Sequence, residues 1–88
     1  MRTIREEDEY TYSICKLKIN FRRLDAALGE MATQIRSHPE KFQKLPGWRL
    51  HRIRVTEYPG IPELAIFFTY DDEMVYLLDA CLVPDEEE

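Results

Sequence analysis

Basic side chains cluster in one short segment of the 88-residue sequence, just before and inside an apolar run. The cluster consists of Lys41, Lys44, Arg49, His51, Arg52 and Arg54. Lysine and arginine bind phosphate through charge-assisted hydrogen bonds, and a histidine with an ordinary pKa of about 6.5 can accept or donate a proton at neutral pH. These residue types favour a site that binds a phosphate-bearing polyanion and transfers protons there.

Alternation along a strand divides this cluster between two faces. If the segment beginning at Trp48 is a regular strand, Arg52 and Arg54 project together and can hold a phosphate between them, whereas His51 projects from the other face with Arg49. The candidate catalytic residues are therefore Arg52, Arg54 and His51. The candidate phosphate-binding residues are Lys41, Lys44 and Arg49.

A structural role is the alternative for each of these groups. Opposite charges on adjacent strands stabilise a sheet by about 0.2–1 kcal/mol, so Arg52 and Arg54 can instead pair with acids of neighbouring strands. The acids that qualify are Glu57, Glu63 and Asp79. His51 can be a half-buried polar residue of the sheet, since its spacing identifies no partner for proton transfer.

Charge is distributed unevenly along the chain, although its net value is −5. Residues 16–54 hold ten basic residues against three acidic ones, whereas residues 55–88 hold ten acidic residues and no lysine or arginine. An asymmetry of this kind indicates either a half that faces a polyanion or charge pairing within the molecule.

Composition limits the remaining classes of function. The chain is 44% hydrophobic, as is usual for a globular domain. No apolar run approaches the ~20 residues of a membrane-spanning helix, and the first residues lack the apolar core of a signal peptide, so we expect a cytoplasmic protein. Cys15 and Cys81 are predicted to be buried free thiols, and together with two widely spaced histidines they give no metal signature. The sequence shows no cofactor motif and leaves the oligomeric state open.

Three runs of β-branched, aromatic and aliphatic residues predict the elements that must position the basic cluster. Residues 48–55, 63–70 and 74–83 are separated by turn residues and predict an antiparallel meander. Alternating polarity predicts another strand over residues 10–19. Tyr70 and Tyr76 flank the last turn and can either pack across it or stack on a nucleotide base.

Two helices are predicted between the first strand and the meander. Asn20 suits an N-cap, and an apolar helix face follows it at Phe21, Leu24, Leu28, Met31 and Ile35. Ser37 and Glu40 predict a capping box for a short second helix over residues 39–44. The prediction is one α+β domain of order β-α-α-β-β-β, whose mostly antiparallel sheet is covered on one face by two helices. Residues 1–9 and 84–88 are predicted to be flexible charged ends.

The order of elements and the motifs of the meander resemble the RelE/ParE superfamily, the toxins of bacterial type II toxin–antitoxin modules, including its HigB-like and phage branches. The resemblance rests on a Pro-Gly hinge before WRLHRIRV and on ELAIFFTYDDEMVYLLDACLV, and it covers roughly residues 45–82. Family members share this pattern of a basic strand, an apolar strand, an acidic turn and a last apolar strand.

The resemblance implies a toxin that cleaves mRNA on the ribosome without a metal, and an antitoxin protein as its partner. RNA-cleaving members need a base for the 2′-hydroxyl, a cation for the charge at phosphorus and an acid for the leaving 5′-oxygen. The residues that match are Arg52, Arg54 and His51, with Lys41, Lys44 and Arg49 as contacts to RNA.

Two departures from the family pattern support a second interpretation. Ala65 stands where family members usually carry an arginine, and the chain ends in acids where they carry a basic or aromatic cluster. On this alternative the protein is a non-catalytic binding module on the same fold. Its sheet or edge strand would engage gyrase, an antitoxin peptide or another protein partner.

Overall fold

The computed structural model describes residues 2–56 and 59–83 of the chain. Within these residues it contains two helices, α1 (Asp8–Lys16) and α2 (Phe21–Ser37), and a 3-10 turn at Pro39–Lys41. Five strands complete the described part: β1 (Thr3–Glu6), β2 (Gln43–Lys44), β3 (His51–Val55), β4 (Leu64–Tyr70) and β5 (Met74–Leu82). The architecture is therefore α+β.

The strands form one mostly antiparallel sheet in the order β1-β5-β4-β3-β2. β1 runs parallel to β5, and the other neighbours are antiparallel. A register shift opposite Phe67 and Phe68 adds one residue to β5. Because such a bulge changes the alternation of a strand, Leu77 and Ala80 both face the core.

One apolar core lies between the helices and one face of this sheet. The helices contribute Tyr10, Ile14, Leu24, Ala27 and Ile35, and the strands contribute Ile53, Val55, Leu64, Ile66, Phe68, Val75, Leu77 and Ala80. Burying one large apolar side chain stabilises the fold by about 1.5–3 kcal/mol, so this layer holds the sheet against the helices. The opposite face of the sheet, which we call the outer face, carries Arg52, Arg54 and Ala65.

The prediction of a strand over residues 10–19 is wrong, because α1 occupies most of that segment. Tyr10 and Ile14 are both buried, and a spacing of four residues places them on one face of a helix. Asp8 and Glu9 lie in the first turn, where negative charge stabilises a helix. The spacing of the buried residues and the acidic first turn therefore indicate this helix better than the alternating polarity indicated a strand.

The first strand lies earlier in the chain, in a segment predicted to be flexible. β1 pairs with β5 in the register Ile4–Val75, and residues 3–6 are thus part of the sheet. The predicted flexible end at residues 84–88 lies outside the described residues.

The predicted second helix is a single 3-10 turn followed by β2. Ser37 is the last residue of α2 and not the cap of a second helix, because His38 occupies the N-cap position of the 3-10 turn. The Asn20 cap is confirmed, since its Oδ1 accepts a hydrogen bond from the Arg23 N–H at 3.1 Å. The three strands of the meander are also confirmed, within bounds slightly shorter than predicted.

Both cysteines are exposed, so the prediction of two buried thiols is wrong. Cys15 lies on a helix and not in the strand assigned to it. Cys81 lies opposite Ala65 in the register of β4 and β5, which places it on the outer face.

Candidate functional site

The structure separates the three predicted catalytic residues. His51, Ile53 and Val55 are buried on the core face of β3, whereas the intervening Arg52 and Arg54 lie on the outer face. The prediction of opposite faces is thus confirmed. Because the sheet lies between them, His51 and the two arginines do not form one site.

Three of the predicted residues meet in a different arrangement, which we call the histidine pocket. This cavity of about 270 Å³ is lined by Lys44, Arg49, His51, Thr69 and Tyr70. Lys44 is the cross-strand partner of His51, and His51 is the partner of Phe68. Arg49 comes from the turn that precedes β3, so three neighbouring strands and one turn build the pocket.

His51 is held in this pocket by aromatic packing. Its side chain is 6% exposed. The ring is stacked on Phe68 at a centroid distance of 5.3 Å, and the ring of Tyr70 is tilted against it at 5.2 Å. Nδ1 is buried and has no hydrogen-bond partner among the residues that the structure describes.

The surroundings of His51 favour its neutral form. Burial lowers the pKa of His51 below its ordinary value of 6.5, the positive charge of Lys44 lowers it further, and Glu40 opposes this effect. A neutral imidazole at pH 7 can accept a proton, and the adjacent cations can hold an anion beside it. The pocket therefore combines an imidazole that can accept a proton with two cationic side chains.

Tyr70 is a member of the pocket that was not among the predicted site residues. The predicted packing of Tyr70 on Tyr76 is wrong, because the register places Tyr70 opposite Val75 and Tyr76 opposite Thr69. The sequence does show that Tyr70 ends an apolar strand that follows a basic strand. Its place beside His51 depends on the register between β4 and β3, which the sequence does not show.

Arg2 packs against the ring of Tyr70. Its guanidinium lies 5.2 Å from the centroid of the Tyr70 ring. Arg2 Nε donates to the Asp71 carbonyl at 2.6 Å, and Nη1 donates to the Arg36 carbonyl at 3.1 Å. The N-terminal segment thus fixes the last residue of β4 against the end of α2.

Lys41 does not join this pocket. It ends the 3-10 turn and is exposed, whereas Lys44 on β2 is the cross-strand partner of His51. Of the three residues predicted to bind phosphate, Lys44 and Arg49 thus line one cavity and Lys41 does not.

A second cavity, the arginine pocket, lies on the outer face. It measures about 290 Å³ and is lined by Arg52, Arg54, Ala65, Phe67, Cys81, Leu82 and Val83. Arg52 donates from Nε and Nη2 to Gln43 Oε1, at 3.1 and 2.6 Å. Arg54 Nη2 lies 3.5 Å from Glu63 Oε1. Ala65 is buried and also lines this pocket.

The alternative role of the two arginines as pairing groups is thus confirmed in part. Arg54 pairs with Glu63 as that alternative expects, whereas Arg52 uses an uncharged amide. Asp79 accepts a hydrogen bond from the Ser13 hydroxyl at 2.5 Å. Glu57, the third expected acid, lies outside the described residues.

A larger cavity of about 510 Å³ lies between α2 and the edge strand β1, and we call it the edge groove. Apolar side chains of both elements line it together with Glu6, Asp25 and Arg36. Burial raises the pKa of Glu6, and the charge of Asp25 raises it further. This groove is unsuited to phosphate because two carboxylates face it. Within residues 2–56 and 59–83, no group of three or more His, Cys, Asp or Glu side chains is arranged to hold a metal ion.

No protein-family model matches the chain, and neither a curated protein nor a solved structure matches it. In the described part of the chain, neither helix has the length and apolar character needed to cross a membrane.

Proposed function

We propose that the protein is a toxin-like ribonuclease that cleaves single-stranded RNA at the histidine pocket. The observation that carries this proposal is a buried histidine with a lowered pKa, which lines one cavity together with Lys44 and Arg49. The order of one strand, two helices and then antiparallel strands supports the resemblance to RelE/ParE toxins, with β2 as an additional strand. In that setting the substrate is mRNA on the ribosome in the cytoplasm, and the partner is an antitoxin protein.

The pocket contains groups for each step of cleavage. His51 takes the proton of a 2′-hydroxyl, whose oxygen then attacks the adjacent phosphorus. Lys44 and Arg49 stabilise the negative charge that develops on the phosphate oxygens. The bond from phosphorus to the 5′-oxygen breaks, and the Tyr70 hydroxyl gives a proton to that oxygen. The products are a 2′,3′-cyclic phosphate and a free 5′-hydroxyl, and proton return from His51 to Tyr70 restores the enzyme.

A translation extract with a defined mRNA and mapping of the cut ends tests this proposal. We expect cleavage by the wild type and a loss of about 10²–10⁴-fold for His51→Gln, because general base catalysis contributes that much. His51→Phe keeps the aromatic packing and should lose the same activity. His38→Gln is the matched control, since His38 is exposed and outside the pocket. Intact mRNA with the wild type, or full activity in both His51 variants, would refute the proposal.

A second candidate is the non-catalytic binding module, and the edge groove favours it. Among the described residues β1 has a neighbour on one side alone, and Arg36 Nε lies buried beside the groove without a hydrogen-bond partner. A partner strand can pair with such an edge and place alternate side chains in the groove. The test is co-purification with the protein of the neighbouring gene. Binding that is lost in Glu6→Lys, together with uncleaved mRNA, would select this function over the first.

A further inference from the structure

The edge groove follows one face of α2 and opens at the β1 edge of the sheet. The residues of α2 that line it are Asp25, Leu28, Gly29, Ala32, Ile35 and Arg36. Ile4 and Glu6 line it from β1. Because an α-helix rises about 1.5 Å per residue, Asp25 and Arg36 lie about 16 Å apart along α2. The groove is therefore elongated, and its shape fits an extended chain better than a compact ligand.

The two ends of the groove carry opposite charge. Glu6 lies at the Asp25 end, since its pKa is raised by burial and then by the charge of Asp25. β1 begins at the other end, where the Arg2 N–H donates to the Arg36 carbonyl at 3.5 Å. Among the described residues, neither carboxylate forms an ion pair, and Arg36 Nε is buried without a hydrogen-bond partner. One end thus suits a cation, and the other suits an acceptor of hydrogen bonds.

The backbone of β1 can accept a further strand at this edge. The N–H groups of Thr3 and Glu7 each donate to a carbonyl on the β5 side at 3.0 Å. Because backbone groups alternate sides along a strand, the N–H and C=O groups of Ile4 and Glu6 point away from β5. The side chains of these same two residues line the groove. A strand paired with them would therefore lay every second side chain along the groove.

Gly29 leaves space between the charged ends of the groove. A Cβ placed at Gly29 would meet no atom within 4 Å. Glycine inside a helix lowers its stability relative to alanine, so the open position is not explained by the needs of α2 itself. The groove has room here for an apolar side chain beside Leu28 and Ala32.

We propose that the edge groove binds an extended segment of a partner protein that carries a basic and an acidic residue four positions apart, with an apolar residue midway between them. Positions four apart in a strand project from one face and are separated by about 13 Å, so long side chains at both ends span the groove. The basic residue reaches Glu6 and Asp25, the acidic residue reaches Arg36, and the apolar residue lies over Gly29. The inference rests on the binding-module function proposed above, because it names the chemistry of the partner at the same groove.

Two peptides of identical composition test this pattern. Thr-Lys-Thr-Val-Thr-Glu-Thr places lysine, valine and glutamate on one face of a strand, whereas Thr-Thr-Lys-Val-Glu-Thr-Thr places both charges on the face opposite the valine. Both are acetylated and amidated so that their ends carry no charge. Titration calorimetry should show that the first peptide binds about 3- to 30-fold more tightly, as expected for two exposed ion pairs.

Variants of the groove test where the first peptide binds. Gly29→Leu fills the space between the charged ends and should weaken binding about 10- to 100-fold, because the valine is no longer buried. This variant replaces a glycine inside a helix, so α2 should remain folded. Thr33→Leu is the matched control and should bind like the wild type, since Thr33 is an exposed residue of α2 outside the groove. Glu6→Gln should bring the affinities of the two peptides closer together.

The outcomes separate this inference from the function on which it rests. Equal affinity for the two peptides, with a loss in Gly29→Leu, would overturn the charge pattern and leave the groove as a binding site. Failure of both peptides to bind the wild type, or equal binding in Gly29→Leu and the wild type, would also overturn the inference. A natural partner that co-purifies equally with Gly29→Leu and the wild type would refute the function of the groove itself.

Discussion

The histidine pocket and the arginine pocket lie on opposite faces of the same pair of strands, yet they offer different chemistry. In the histidine pocket, burial among aromatic rings keeps His51 neutral, and two cations stand beside it. In the arginine pocket, Arg52 and Arg54 already contact Gln43 and Glu63. A run of basic residues therefore does not define one site. Adjacent positions of a strand enter different surroundings, and those surroundings decide which groups can react.

The largest expected difference between the two faces is the loss of stability when a phenylalanine of β4 is truncated. Phe68 is fully buried beneath His51, whereas its neighbour Phe67 lines the outer face. We expect Phe68→Ala to lower the free energy of unfolding by about 3–5 kcal/mol, because it leaves a cavity in the core. Phe67→Ala is the matched control and should cost clearly less. Urea denaturation of the two variants measures this difference, and equal losses would contradict the assignment of faces.

Removal of a cation should affect RNA cleavage on one face alone. We expect Arg49→Ala to lower the rate about 10²–10³-fold, the loss typical of one group that stabilises charge in a transition state. Arg54→Ala should leave the rate close to that of the wild type, since Arg54 lies across the sheet from His51. Single-turnover cleavage assays of both variants provide the measurement. A larger loss of cleavage rate for Arg54→Ala than for Arg49→Ala would indicate that cleavage takes place at the arginine pocket instead.

The contact between Arg2 and Tyr70 should contribute a smaller effect. A cation over an aromatic ring stabilises by about 0.5–1 kcal/mol at exposed sites, and the two hydrogen bonds of Arg2 add a similar amount each. Arg2→Ala should therefore lower cleavage several-fold by loosening Tyr70. Arg5→Ala is the control, because Arg5 is exposed and pairs with Glu7. Identical cleavage rates in the two variants would show that the contact between Arg2 and Tyr70 does not contribute to cleavage.

The dependence of stability on pH should give the smallest effect and identify His51 directly. Because the folded-state pKa of His51 is lowered from 6.5, the unfolded chain binds more protons between these two values. Stability from this group is fully present above about pH 6.5 and is lost as the pH falls through the folded pKa. Chemical denaturation at several pH values measures the slope.

A variant of this histidine isolates its contribution. His51→Gln should have a shallower slope than the wild type. Glu6, whose raised pKa acts in the opposite sense, is present in both proteins and cancels in the comparison. An unchanged slope in His51→Gln would show that this imidazole is not held neutral by burial.

The local pattern of the sequence was sufficient for part of the fold. The strands around His51, Ile66 and Leu77 were predictable from apolar runs between turn residues, and the Asn20 cap was predictable from its side chain. The segment around Tyr10 was not, because Tyr10 and Ile14 fit both a strand and a helix. β1 was also missed, since four residues carry little local signal and gain their place by pairing with β5, far along the chain.

The sequence by itself determined which reactive side chains this protein has and how those of β3 divide between the two faces of the strand. Alternation along a strand is a local property, so Arg52 and Arg54 had to lie opposite His51. The tertiary structure alone decided which face is buried and which residues reach His51. Lys44 and Tyr70 reach His51 from two separate strands through register and packing, and Arg2 contacts Tyr70 from a third segment. Burial also lowered the pKa of His51, because desolvation depends on neighbours that are distant in the chain.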